Sequence, residues 1–483
     1  MIALGASGDM ARRLLFPAMY SLERDGRLGD LRIIGYALED WDTDRFREEI
    51  RKGVTDLAKL EFDDAVWNRF SARLTYVSGD LGEQGLAVLS KFVTGNVAFY
   101  LALPPGMFAT AATALAKAGF NDTSKGWRRL VIEKPFGVDT KSAMELNKEL
   151  HEAWAEEQIF RIDHFLGKET VQNIVVFRLA NRVLEPMLNA GQVQSVQVTA
   201  AETLGLEGRY RYYDGIGAMR DMLQSHLLQL LTIVAMEPLT AWESELMHDH
   251  KAEVLRSVRP LAPEDVQRSA VRAQYTAGEI RGERVPGYLE EPQIQPGSRT
   301  ETFAAIKLNI ENWRWQGVPF YVRSGKRLAS DVTEVAIKFR EPPTHVFEDG
   351  AAALDGHNRL LFQLRPSEAI SLSVLAREPG LELRTRGLTL YADYAPGRSD
   401  SSSYEQLLLD VMEGDRTPFL RFDEVELAWE ILQPVLDAWS TGKPDTYAAG
   451  SEGPASQDAI LEPGDQWRSL TGERVQNPAV HRM

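Results

Sequence analysis

The opening 37 residues constrain the fold more than any other stretch. Residues 2–4, Ile-Ala-Leu, form a short apolar run that passes straight into Gly5-Ala6-Ser7-Gly8-Asp9-Met10-Ala11. Met10, Leu14, Leu15, Ala18, Met19 and Leu22 then recur at the spacing of one helix face, and residues 31–37 are a second apolar run. Strand, glycine turn, helix and strand make a dinucleotide-binding unit, in which backbone N–H groups at the helix start meet a pyrophosphate. The candidate cofactor residues are therefore Gly5, Ala6, Ser7, Gly8, Asp9 and Met10. The turn reads G-x-x-G rather than G-x-G-x-x-G, so a tight turn without a ligand stays open on this pattern alone.

Residues 74–77, 97–103 and 130–132 are further apolar strands, with helical stretches such as 108–118 between them. That alternation predicts a parallel sheet with ligands at the carboxyl ends of its strands. Pro104-Pro105 and Glu133-Lys134-Pro135-Phe136-Gly137 fall at such ends. Lys134 is either a cation in the crevice, where the proline turns the chain, or a solvated loop lysine.

After about residue 163 the pattern changes. Residues 193–200, 302–310, 318–323, 334–339, 360–364, 370–375 and 388–392 read as strands with few helices between the later ones. The prediction is an α/β Rossmann-type domain over 1–163 and an α+β domain over 164–483. The second domain would hold a large, mainly antiparallel sheet, with helices near 170–188, 219–236 and 404–439 on one face. An open sheet face would suit self-association as a dimer or tetramer. The Gly-, Pro- and Ser-rich tail from Thr441 is expected to be a loosely structured wrap.

Composition narrows the partners. A chain of 483 residues exceeds one core, and 44% hydrophobic with 26% charged residues is ordinary for a globular protein. No apolar run approaches twenty residues, and Met1 leads directly into a strand, so a cytoplasmic protein without membrane contact is expected. Cysteine is absent, which removes thiolate chemistry and Cys-based metal sites. His248 and His250 form the one close histidine pair, weak grounds for a metal, and none is expected. A net charge of −16 argues against nucleic acid, whereas a local cluster of Lys and His can still hold an anionic small ligand.

Two stretches carry the candidate chemistry. Arg161-Ile162-Asp163-His164-Phe165-Leu166-Gly167-Lys168-Glu169 mixes acids, bases and a glycine in a way that neither a core strand nor a solvated helix requires; Asp163 as a plain helix cap is the alternative. In the stretch 219–236, Met219, Met222, Leu223, Leu227, Leu230, Leu231 and Val234 form an apolar stripe with His226 inside it. His226 is either a hydrogen-bonded core histidine or a general base oriented by a carboxylate, for which Asp163 is the candidate.

The stretch 161–169 resembles the R-I-D-H-Y-L-G-K-E signature of glucose-6-phosphate dehydrogenases, with Phe165 for tyrosine. Gly208-Arg209 followed by Tyr212-Tyr213-Asp214, then the run from Arg220 through Leu231, and then Ala235-Met236-Glu237-Pro238 resemble a second signature of that family, with Ser225 for asparagine. The glycine turn, Glu133–Gly137, Val318–Lys326 and Phe422–Glu426 also match in the family's order, so the resemblance covers essentially the whole chain. It implies oxidation of glucose 6-phosphate at C1 by hydride transfer to NAD or NADP, the entry step of the pentose phosphate pathway. It further implies that His226 is the base and Asp163 its orienting carboxylate, that His164 and Lys168 hold phosphate, and that Lys134, Glu202, Asp221 and Lys326 contact the sugar.

Several positions depart from the family pattern. Phe165 lacks the hydroxyl of the phosphate grip, and Asp331, five residues past Lys326, stands where the family usually has Lys or Arg, a cation expected near the cofactor phosphate or the substrate. Leu14 replaces a basic residue after the glycine turn. After the second strand, Leu38-Glu39-Asp40 takes the place of an arginine that grips the NADP 2′-phosphate. An acid there accepts hydrogen bonds from the free ribose hydroxyls of NAD, so a shift toward NAD is expected, with Arg12, Arg13 or Arg327 as substitute cations. The alternatives are a paralogue that oxidises another phosphorylated sugar and a catalytically silent partner subunit.

Overall fold

The computed structural model describes residues 1–208, 210–344, 346–347, 358–393 and 403–472, without the side chain of Arg211. The chain divides into two units. The first comprises Met1–Glu169, Trp242–His248 and Asp400–Glu426, and the second Thr170–Ala241, Asp249–Ser399 and Leu427–Met483.

In chain order the strands of the first half are β1 (Ile2–Leu4), β2 (Ile33–Ala37), β3 (Leu74–Ser78), β4 (Val97–Leu101), β5 (Arg128–Glu133) and β6 (Ile159–Ile162). Those that follow are β7 (Val193–Ala201), β8 (Ala270–Thr276), β9 (Gly278–Ile280), β10 (Glu283–Val285), β11 (Phe303–Asn309) and β12 (Pro319–Gly325). Next come β13 (Val332–Phe339), β14 (Arg359–Arg365), β15 (Ala369–Arg377), β16 (Thr385–Asp393), β17 (Phe419–Leu420) and β18 (Asp445–Ala448).

The first unit holds a sheet in the order β17-β6-β5-β4-β1-β2-β3. Every pair from β6 to β3 is parallel, and β17 joins antiparallel at the edge. Strands β1, β2 and β4 are buried along their whole length, the mark of a parallel sheet covered on both faces. The α/β Rossmann-type reading is borne out. Strand order reverses between β1 and β4, which makes their carboxyl ends the switch point where such sheets bind ligands.

The helix Ser403–Glu413 buries Tyr404, Leu407, Leu408 and Val411 in the same core as Leu15, Phe16 and Tyr20. The sequence predicts one helical stretch over 404–439 on the second sheet. Instead β17 interrupts it, a second helix runs Phe422–Trp439, and Ser403–Glu413 packs in the first unit.

The second unit is built on a sheet in the order β16-β15-β14-β13-β7-β12-β11-β8-β18, as the α+β reading expects. Most pairs are antiparallel, but β7–β12 and β8–β18 are parallel. Strand β12 is buried throughout, whereas β16 leaves Leu388 and Leu390 exposed.

The described part of the tail is not loose. Strand β18 pairs with β8, and Asp465 accepts hydrogen bonds from Gln194, Ser195 and Tyr321 at 2.8, 3.2 and 2.9 Å. Its Gly- and Pro-rich composition hides three buried anchors, Tyr447, Ile460 and Leu470. Residues 473–483 lie outside the described part. Among the described residues no helix is long and apolar enough to cross a membrane.

Candidate active site

In the first unit the glycine turn sits at the switch point. Gly5 has φ +79°, and a Cβ there would lie 2.2 Å from the carbonyl oxygen of Ala102, just past β4. Only glycine lets the two strand ends approach this closely. The Gly5 and Ala6 amides donate to the Tyr36 carbonyl at 2.8 and 3.3 Å, and the Gly8 amide to the Gly5 carbonyl at 2.9 Å, which closes the turn against β2. Asp9 and Met10 then enter the helix that continues through Arg24.

Beyond β2 the chain passes through Leu38, which is exposed, to Glu39. The Ser7 hydroxyl donates to the Glu39 carboxylate at 2.6 Å, so an acid stands directly against the glycine turn. The nearby cations are engaged: Arg12 lies 3.1 Å from Glu49 and Arg13 2.6 Å from Asp9. Pro104 precedes a short 3-10 turn, Pro105–Met107, after β4, and Lys134 follows β5 with a cis bond to Pro135. Both lie at the carboxyl end of the sheet, where the sequence placed them.

Asp163 follows β6 and is buried. Its Oδ1 accepts the Phe165 amide at 2.9 Å and its carbonyl accepts the Leu166 amide at 3.0 Å, so it caps a turn over residues 164–167 and not a helix. The helix Glu169–Leu179 begins only afterwards. The turn is tight because a Cβ on Gly167 would lie 2.6 Å from Leu407 Cγ. Phe165 is buried, and the Lys168 ammonium lies 3.7 Å from its ring centroid, with the His164 ring 5.2 Å away edge-on. The ring that lacks the family's hydroxyl thus seats a cation by its π face, worth about 0.5–1 kcal/mol near the surface.

In the second unit, strand register explains the cluster. Gly325 is opposite Ala201 in the parallel pair β12–β7, and Val332 is opposite Ala201 in the antiparallel pair β13–β7. Glu202 and Lys326 therefore leave neighbouring strands at the same end, and Asp331 enters there. Lys326 Nζ donates to Glu202 at 2.6 Å and lies 5.3 Å above the Tyr213 ring.

Asp331 accepts the Thr203 amide at 2.8 Å and the Thr203 hydroxyl at 2.7 Å, and Arg281 lies 3.2 Å away. These bonds hold the segment that carries Glu202. The third substitute cation, Arg327, lies 3.7 Å from both Glu207 and Glu291.

Asp221 and His226 lie on Met219–Leu227, which is wound as a π-helix before the α-helix Leu228–Ala235. With i→i+5 bonding, residues five apart come round by roughly one turn, so Asp221 and His226 share a side of this stretch. The apolar stripe masked the winding, since a single strip of core residues suits either helix. His226 is 1% exposed. The stretch is fixed at its start by buried Glu301, whose carboxylate accepts the Met219 amide at 3.0 Å; burial pushes this carboxyl up. Arg209 of the second signature lies outside the described residues.

The sequence pattern gave no sign of the supports Glu301, Thr203 and Arg281, and it showed Tyr213 only as part of the second signature and not as the ring beneath Lys326. A carboxylate at the end of an apolar strand, Leu130-Val131-Ile132-Glu133, was a readable signal for one more: Glu133 is buried and accepts a hydrogen bond from Tyr100.

The chain has relatives along its whole length. Residues 2–173 match the family "Glucose-6-phosphate dehydrogenase, NAD binding domain", and residues 175–468 match "Glucose-6-phosphate dehydrogenase, C-terminal domain". The chain is 41% identical to a glucose-6-phosphate 1-dehydrogenase of Aggregatibacter actinomycetemcomitans, over 98% of this chain and 97% of that one. It is 42% identical to one of Mycolicibacterium smegmatis, over 96% of each. Among solved structures it is similar to a glucose-6-phosphate dehydrogenase in complex with glucose-6-phosphate, with a TM-score of 0.86 and 33% identity over 95% of this chain and 96% of that one. A Mycobacterium avium glucose-6-phosphate 1-dehydrogenase superposes with a TM-score of 0.83 and 34% identity over 97% and 98%.

Proposed function

The chain belongs to the glucose-6-phosphate dehydrogenase family, and from that premise we propose that it oxidises glucose 6-phosphate at C1 to 6-phosphogluconolactone with NAD or NADP. The observation that carries the reading is His226, buried on a π-helical stretch with Asp221 about one turn before it. A bound nicotinamide supplies the hydride acceptor.

As hydride leaves C1, the hydroxyl must lose its proton, and His226 accepts it through a neutral imidazole nitrogen. Asp163 has the role of the orienting carboxylate. His164 and Lys168 bring positive charge to a dianionic phosphate, and Lys134, Glu202, Asp221 and Lys326 supply donors and acceptors for sugar hydroxyls. The residues at the switch point suit a dinucleotide: Gly5, Ala6, Ser7, Gly8, Asp9 and Met10 form the turn and helix start, and Pro104 and Lys134 lie across the strand ends.

We further propose that NAD is preferred. The Glu39 carboxylate beside Ser7 accepts hydrogen bonds from ribose hydroxyls and repels a 2′-phosphate, and Arg12 and Arg13 are already paired with acids. Steady-state kinetics with both nucleotides test this, and a higher kcat/KM with NADP overturns it. A panel of phosphorylated sugars tests the substrate. Asp331, turned to Thr203 where the family pattern has a cation, supports the second reading of another phosphorylated sugar. No turnover of glucose 6-phosphate, with turnover of a different sugar phosphate, would select it. Assembly as a dimer or tetramer is supported by the apolar strip Leu388 and Leu390 on β16, and sedimentation would show a monomer if that is wrong.

A further inference from the structure

Glu133 is the last residue of β5, one position before Lys134. Its carboxylate is contacted from two further elements: Tyr100 on β4 donates to it, and so does Tyr404 on the helix Ser403–Glu413. Asp163, at the end of the adjacent β6, faces it as a like charge, and Lys134 as an opposite one. The helix that brings Tyr404 also brings Leu407 against Gly167, so one element braces both the strand end and the turn of 164–167.

We propose that Glu133 is a positioning residue for Lys134 and Asp163, acting from a buried carboxyl–phenol cluster with Tyr100 and Tyr404. The proposal rests on the dehydrogenase reading above. When ionised, Glu133 attracts the Lys134 ammonium and adds negative potential at Asp163. When protonated it does neither.

Burial pushes the Glu133 carboxyl up to about 7, against the two phenol hydrogen bonds and Lys134, which lower it. Burial and the Glu133 charge raise Tyr100 well above the usual phenol range, so it stays a donor throughout. The cluster therefore changes by one negative charge near neutral pH. The strand end that holds Lys134 responds to pH independently of His226.

The test is Glu133→Gln, which keeps volume and an acceptor oxygen and removes the charge. We expect kcat/KM at pH 8 to fall roughly tenfold, one ionisation to vanish from the acid limb of the pH profile, and a carboxyl infrared band titrating near pH 7 to disappear. An unchanged pH profile overturns the proposal. If Glu133→Gln does not fold, Tyr404→Phe decides. Loss of one stabilising phenol should raise the Glu133 pKa and move the acid limb upward, and a stationary limb overturns the proposal.

If the wild-type chain oxidises no sugar phosphate, the dehydrogenase reading falls separately. The cluster is then judged by dinucleotide binding, which should depend on pH around 7 in the wild type and not in Glu133→Gln. Equal pH dependence in both overturns it.

Discussion

The two sheets deliver their candidate site side chains by the same device in opposite settings. In the first unit every neighbour from β6 to β3 is parallel, so all carboxyl ends point one way and Gly5, Pro104, Lys134 and Asp163 gather there by the general rule of such folds. In the second, antiparallel neighbours would scatter strand ends to both edges. The parallel β7–β12 pair inside that sheet sends Glu202 and Lys326 out side by side. A parallel sheet thus gathers strand ends where its order reverses, whereas in this mainly antiparallel sheet the parallel β7–β12 pair brings Glu202 and Lys326 together.

The largest expected effect tests the second unit. His226→Asn should lower kcat by about 10²–10⁴ and leave sugar-phosphate binding within a few-fold, because it removes the proposed proton acceptor and little else. Single-turnover rates and substrate titration check it, and a kcat within a few-fold of wild type removes His226 as the base.

Next, Lys326→Ala and Glu202→Gln should each reduce kcat/KM by about 10–100-fold. The double variant should lose less than the product of the two, because the residues act as one pair. Additive losses would mean that the parallel strands bring the residues close without joining their work.

A smaller effect tests the first unit. Glu39→Ala should raise the NADP-to-NAD ratio of kcat/KM by roughly tenfold, by removing the charge beside Ser7. No change in the ratio would show that the acid at the end of β2 does not read the nucleotide.

The smallest effect is on stability. Glu133 has a folded pKa of about 7 against 4.5 unfolded, so its contribution is fully present below about pH 4.5 and is lost as pH rises through about 7. The shift corresponds to on the order of 3 kcal/mol. Buried Asp410, also pushed up to about 7 by burial, acts in the same direction. Glu133→Gln should therefore gain a few degrees in Tm relative to wild type at pH 8 and not at pH 4.5, with the Asp410 contribution common to both proteins. Parallel Tm–pH curves would contradict the burial of an ionisable Glu133.

The first unit was legible because strand, turn and helix alternate within short spans, each with its own periodicity. Gly5, Pro104 and Lys134 fell at strand ends by that reading. The second sheet was legible as a set of strands but not as a register. Alternation tells which face a side chain takes and nothing about its neighbour, so the adjacency of β7 and β12, and with it the Glu202–Lys326 pair, had no local signal.

The π-helix of Met219–Leu227 escaped because its apolar stripe also fits α-helical spacing. The partners of Glu133 escaped for a different reason. Tyr404 lies about 270 residues further along the chain, and no periodicity spans that separation.

That separation also sets an order of assembly. Strands β1 to β6 emerge first from the ribosome, yet their core is completed by Tyr404, Leu407, Leu408 and Val411 of Ser403–Glu413. At roughly 5–20 residues per second, the gap from Ile162 to Ser403 takes roughly 12–48 s to synthesise. The core of the first unit therefore lacks Tyr404, Leu407, Leu408 and Val411 until about 240 residues after β6 have been made.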